Sequence, residues 1–158
     1  MYERILIPLD GSEVGETALL HVEALVPKLS PKVKTEVTLL QVITPVSHYA
    51  MDVETSAFVP YTAEEITHIE KQVRSYLEKA GEGLRSKGIK VNTEVRIGHA
   101  AEEIIKVTQE INADLVAMST HGRSGISRWA LGSVTDKVLR KGNIPLLVVR
   151  APKDTDKT

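Results

Sequence analysis

The sequence predicts an α/β protein built on a single open, mostly parallel five-stranded sheet with helices on both faces. Three observations predict it. Short apolar runs alternate with helical patterns along the chain. Two of the runs, Ile5 to Leu9 and Leu115 to Met118, are continuously apolar, as in strands buried on both faces. Small-residue turns follow three of the strands, at Pro8-Leu9-Asp10-Gly11-Ser12, Ile97-Gly98-His99-Ala100 and Ser119-Thr120-His121-Gly122. Open sheets of this kind bind ligands at such turns, beyond the carboxyl ends of their strands.

The first strand is Arg4 to Asp10, weakened near its end by Pro8, which has no N–H to donate. Asp10-Gly11-Ser12 opens a helix whose apolar face is Ala18, Leu19, Val22, Leu25 and Val26, stopped at Pro27. Thr35 to Ile43 is β-branched and apolar, a second strand ending before Pro45. Ser47 to Tyr61 shows no period and reads as a long loop. Thr62-Ala63-Glu64-Glu65 has capping-box spacing. Behind it the apolar stripe Ile66, Ile69, Val73, Tyr76, Leu77, Ala80 and Leu84 predicts one long helix to Gly88.

Ile89, Val91, Thr93, Val95 and Ile97 alternate with polar residues, so the third strand lies near an edge with one face exposed. A helix follows to about Ile111, marked by Ala101, Ile104, Ile105 and Thr108. The fourth strand is Leu115 to Met118, a further helix spans Ser133 to Arg140, and the last strand is Leu146 to Val149. The first and fourth strands, the most continuously apolar, belong at the centre of the sheet. The last belongs at an edge, and residues 151–158 form a polar tail.

Composition excludes several function classes. With 158 residues the chain can bury a core of its own as one domain. Twenty Lys and Arg balance 21 Asp and Glu, so no global field draws it to nucleic acid or to a membrane surface. The absence of cysteine removes disulfides, thiolate metal sites and thiol nucleophiles. No apolar run matches a bilayer's width, and the expectation is an unprocessed cytoplasmic chain. His48, Asp52 and His68 do not form a recognisable metal set.

The chemistry concentrates between Ser119 and Ser133. Small residues there stand where a strand gives way to a helix, so backbone N–H groups can approach an anion while the helix dipole favours negative charge. If the first and fourth strands are neighbours, Asp10 faces the same crevice. An acidic side chain beside phosphates would repel them, which puts Asp10 at the nucleoside end or leaves it as a helix cap. Arg123 and Arg128 are candidates to neutralise phosphate or are simply solvated, and Trp129 is read as an apolar anchor for its loop.

The residues Pro8 to Ser12, Leu40-Gln41-Val42, and Ser119 to Gly125 running on to Leu131-Gly132-Ser133 resemble the universal stress protein (UspA) family, ATP-binding type, in order and spacing from Tyr2 to Arg150. Its ATP-binding members carry glycine, two residues, glycine, nine residues, then glycine with serine or threonine. Gly122, the residues from Arg123 to Leu131, and Gly132-Ser133 fit that pattern, and Ser119 takes the place of the first glycine. The resemblance implies a Rossmann-like, adenine nucleotide alpha hydrolase-like fold with strand order 3-2-1-4-5, occupying residues 1–150.

It also implies a site for ATP or another adenine nucleotide, with Mg²⁺ accompanying the phosphates. The implied site residues are Pro8, Leu9, Asp10, Val42, Met118, Ser119, His121, Gly122, Arg123, Gly132, Ser133 and Val134. Among these, Asp10 and the backbone of Val42 would serve the nucleoside, and Ser119, Gly122, Gly132 and Ser133 the phosphates. His121 is read as a backbone-bonding residue and not as a base, and no catalytic residue is assigned. The expected function is a nucleotide-dependent regulatory module of the stress response, dimeric through the strand Leu146 to Val149. The alternatives are a slow ATP hydrolase of the same fold, or a member that acts by protein interaction without nucleotide. The Ser-Gly-Gly-x-Asp-Ser and His-Ile-Gly-His signatures of adenylyl-transferring relatives are absent.

Overall fold

The computed structural model describes residues 2–28, 34–49, 58–120 and 131–150. The element order is β1 (Arg4–Pro8), α1 (Glu13–Leu25), a 3-10 turn (Val26–Lys28), β2 (Glu36–Ile43), β3 (Val46–Tyr49), β4 (Phe58–Pro60), α2 (Ala63–Ala80), α3 (Glu82–Ser86), β5 (Lys90–Ile97), α4 (Ala100–Glu110), β6 (Leu115–Ser119), α5 (Ser133–Lys141) and β7 (Leu146–Val149). The main sheet has five strands in the order β5-β2-β1-β6-β7, all parallel. Counting only these strands, that is the predicted order 3-2-1-4-5.

The continuous apolar run of β1 is explained by two layers of helix. Ile5 and Ile7 join Val37, Leu39 and Ala117 under α1 and α2, while Leu6 joins Leu40, Val116 and Met118 under α4 and α5. Ile5, Leu6 and Ile7 have no exposed surface. Burying each such side chain is worth about 1.5–3 kcal/mol. β1 is therefore the centre of the sheet, with β6 its neighbour on one side and β2 on the other. The alternating strand β5 is an edge, as predicted, and β7 is the other.

Helix ends follow local chemistry. Thr62 Oγ1 accepts the N–H of Glu65, and the Glu65 carboxylate accepts the N–H of Thr62, completing the predicted capping box of α2. At the end of α4, Asn112 turns to φ +49. The N–H groups of Asn112 and Ala113 bond back to the carbonyls of Gln109 and Thr108 at 3.2 and 2.9 Å, closing a Schellman motif.

Two expectations are corrected. The segment 47–61 is not wholly a loop, because β3 and β4 pair antiparallel as a separate two-stranded ribbon. Strands of four and three residues are too short to display a period, and it is their backbone pairing that defines them. The long helix predicted to Gly88 is broken: α2 ends at Ala80 and the short α3 follows Gly81. Val91 of the edge strand packs 3.0 Å from where a Cβ at Gly81 would stand, so the bend lets the helix pair follow the sheet. The apolar stripe persists through the bend and hides it. Smaller shifts fall at strand ends, β1 stopping at Pro8 although Leu9 N–H still reaches Leu40 O at 2.7 Å.

Candidate functional site

Strand order reverses between β1 and β6, since the chain passes from β1 to β2 on one side and later returns to the other. At the carboxyl ends of these strands lies a cavity of about 250 Å³. Pro8, Leu9 and Asp10 follow β1, Val42 closes β2, and Met118, Ser119 and Thr120 end β6. Gly15 comes from α1, Ala100 and Ile104 from α4, and Gly132, Ser133, Val134 and Thr135 from the start of α5. Every predicted site residue that falls within the described residues lines this cavity. His121, Gly122 and Arg123 lie outside the described residues, as do Arg128 and Trp129.

The cavity has an apolar and a polar half. Val42, Ala100, Ile104 and Met118 form a wall without side-chain polar groups, suited to a flat ring. The other half is backbone-rich. α5 begins at Gly132 with no side-chain cap, so the first-turn amides of Ser133, Val134 and Thr135 and the positive end of the helix dipole are presented to the cavity. α4 likewise starts after His99 with no side-chain cap and brings Ala100 to the lining. By contrast α1 and α2 are capped by Ser12 and Thr62. α4 and α5 thus bring first turns without a side-chain cap to the cavity, beside the Ser12-capped first turn of α1, and uncapped amides of this kind suit an anion.

α4 and α5 pack through Ile104, Val107 and Val138, and on the surface above Lys137 of α5 and Glu102 of α4 stand 3.1 Å apart. Lys137 holds the Glu102 carboxyl below the usual carboxylate range, chiefly through that hydrogen bond. Asp136, an acidic residue in the first turn of α5, is bonded by Arg140 Nε at 2.9 Å.

Asp10 does not cap α1. Its Oδ1 accepts the Ser12 N–H at 3.0 Å and the Ser12 hydroxyl at 2.6 Å, and Ser12 Oγ in turn accepts the Gly15 N–H at 3.0 Å. Ser12 is the cap, and Asp10 braces it from the cavity wall.

Ser119 departs further from expectation. Its hydroxyl donates to the Gly15 carbonyl and accepts the Ala18 N–H, both at 3.1 Å, so it is engaged by the backbone of α1. Its carbonyl accepts Thr135 Oγ1 at 3.2 Å, and the next amide, Thr120 N–H, donates to Val149 O at 2.9 Å. Asn112 is the one described non-glycine residue with positive φ, so the backbone at Ser119 does not require glycine.

Gly15, Ala100, Ile104, Thr120 and Thr135 also line the cavity, although the sequence did not place them among the implied site residues. Gly15 carried a signal: a glycine inside a helical pattern marks close approach of another group. Among the described residues, no cluster of three or more His, Asp or Glu is placed to hold a metal. No helix among them is long and apolar enough to cross a membrane.

The fold defines a doubly wound α/β protein with a cavity at its strand-order reversal, the place where proteins of this class bind ligands. The model of the universal stress protein family matches residues 1–150, and the chain belongs to that family. It is 31% identical to universal stress protein MJ0577 of Methanocaldococcus jannaschii over 95% of this chain and 96% of that one. The solved structure of MJ0577 superposes with a TM-score of 0.74, at 30% identity, covering 98% of this chain and 99% of that one.

Two more distant structures share the fold. One is a universal stress protein in complex with cAMP, with a TM-score of 0.66 and 17% identity over 94% of this chain and 97% of that one. The other is the universal stress protein from Archaeoglobus fulgidus in complex with dAMP, with a TM-score of 0.62 and 15% identity over 93% and 97%.

Proposed function

We propose that this chain binds an adenine nucleotide in the cavity and acts as a nucleotide-dependent regulatory module of the stress response. The expected ligand is ATP. The observation that carries the reading is that one cavity is lined both by apolar side chains (Val42, Ile104, Met118) and by the uncapped start of α5 at Gly132-Ser133. One half suits a base and the other suits phosphates. Asp10 stands at the nucleoside end, and Mg²⁺ accompanies the phosphates. The cAMP and dAMP carried by two fold relatives agree with an adenine ligand. A cytoplasmic place of action fits the cysteine-free chain.

Dimerisation through β7 completes the proposal. The bonds Val116 N–H to Pro145 O and Thr120 N–H to Val149 O set the phase of the β6–β7 ladder. In a parallel ladder alternate residues turn their backbone groups to the same neighbour, so Leu147 and Val149 face β6 while Leu146 and Val148 face outward. An unpaired apolar edge invites pairing, and a two-fold axis gives an antiparallel partner in a second copy.

Calorimetry with ATP and Mg²⁺, with mass spectrometry of nucleotide released from freshly purified protein, tests the reading. Saturable binding of ATP is expected. No heat at millimolar ATP together with no co-purifying nucleotide overturns it.

A further inference from the structure

We propose that Ser119 is a positioning residue that ties the two walls of the cavity together, and that its hydroxyl is not a phosphate ligand. This rests on the nucleotide reading above. The hydrogen positions follow from chemistry. The Gly15 carbonyl can only accept, so the Ser119 hydroxyl proton lies toward it, and the Ala18 N–H can only donate, so it takes a lone pair of Ser119 Oγ. The same logic continues along the wall. The Gly15 N–H donates to Ser12 Oγ, whose proton goes to Asp10 Oδ1.

Ser119, Gly15, Ser12 and Asp10 thus form a chain of contacts from the end of β6 to the end of β1, with spacings of 3.1, 3.0 and 2.6 Å. Three of the four, Ser119, Gly15 and Asp10, line the cavity. Linked hydrogen bonds strengthen one another in a low-dielectric surrounding. Ser119 anchors the chain to β6, and there its carbonyl is also held by Thr135 of α5. The tie acts on the wall that carries Asp10, which is the nucleoside end.

Glycine at position 119 would complete the phosphate motif and still weaken binding. A lost hydroxyl removes both of its bonds to the start of α1, and a net loss of about 1 kcal/mol corresponds to roughly fivefold in affinity. Because the effect is exerted at the nucleoside end, it is the same for a ligand without phosphates.

The test is calorimetry of ATP and of adenosine with the full chain and with Ser119→Gly, Ser119→Ala and Ser119→Thr. Hydrogen exchange of the Ser12 and Gly15 amides is followed in the same proteins without ligand. Glycine and alanine are expected to weaken ATP and adenosine alike, by about fivefold, and threonine to restore most of the loss by keeping the hydroxyl. Exchange at Ser12 and Gly15 is expected to quicken in the glycine and alanine variants and not in threonine.

Affinity unchanged or raised in Ser119→Gly overturns the proposal, and so does a loss confined to ATP, which marks a direct phosphate contact. Should the unaltered chain bind neither ligand, the nucleotide reading fails by itself. The exchange rates then decide the tie, and unchanged exchange overturns it.

Discussion

Gly132 stands against the carbonyl of Thr120: a Cβ at position 132 would lie 2.6 Å from that oxygen, and the backbone there has φ +80. The end of β6 and the start of α5 are thus pressed together at the polar half of the cavity, where glycine satisfies both the angle and the approach. Gly132→Ala is expected to destabilise the fold by about 1–3 kcal/mol and to weaken ATP binding at least tenfold, because relief of the contact must displace the first turn of α5. Denaturant unfolding and calorimetry check the two effects. A variant with unaltered stability and affinity would show that the first turn of α5 is not the phosphate end.

Gly15 presents the same relationship in a helix. A Cβ there would meet Asp10 Oδ1 closer than a carbon and an oxygen approach, with Ser12 Oγ 3.2 Å away. Replacing an interior helical glycine by alanine ordinarily stabilises by about 1 kcal/mol. In this chain Gly15→Ala is expected to destabilise by about 1–3 kcal/mol, as overpacked sites do. In an Asp10→Ala background the sign should reverse and the propensity gain reappear. A double-mutant cycle by urea unfolding measures the coupling, and additivity would refute it.

How far such relations can be read from a sequence depends on their range. β1 and β6 were legible because burial on both faces demands a continuous apolar run, and β5 because an edge strand alternates. The α2 capping box was legible because its partners are three residues apart. The ribbon of β3 and β4 was not, since strands of four and three residues carry no period, and neither was the bend at Gly81, across which the apolar stripe continues. At the cavity, Asp10, Val42 and Gly132-Ser133 could be placed from local turn chemistry and family spacing. The hydroxyl of Ser119 could not, because its partners Gly15 and Ala18 lie more than a hundred residues away and offer only backbone groups, which any residue would supply.

Tyr76 governs the alkaline limit. Its hydroxyl donates to Glu16 Oε1 at 2.9 Å, joining α2 to α1. Burial, then the hydrogen bond and the Glu16 charge, push its pKa well above the ordinary tyrosine value of 10.0. The folded state therefore keeps a proton that the unfolded chain releases near pH 10, so this stabilisation is complete below that pH and is lost as pH rises toward the folded value. Tyr76→Phe is expected to lower stability by about 1 kcal/mol at pH 7 and to flatten the decline above pH 10. Urea midpoints from pH 7 to 11 check both. An equally steep alkaline decline in the variant would assign it to other groups.

The edge strand offers a separable test of dimerisation. Val148 turns its N–H away from β6, as the phase set by Pro145 and Val149 requires, so proline at 148 removes a donor from the free edge and none from the β6–β7 ladder. Leu147, whose N–H faces β6, is the matched control: proline there breaks the internal ladder. If two copies pair along β7, Val148→Pro should convert a sedimenting dimer to a monomer that keeps most of its thermal stability and its nucleotide affinity. Leu147→Pro should lose stability outright, by about 3 kcal/mol or more. The contrast matters because either substitution could abolish a dimer simply by unfolding the chain. A dimer that survives Val148→Pro would place the interface elsewhere, and a monomeric unaltered chain would remove it. A monomeric Val148→Pro with intact ATP binding would further mean that the cavity is complete within one copy, consistent with a lining drawn from β1, β2, β6, α1, α4 and α5 and not from β7.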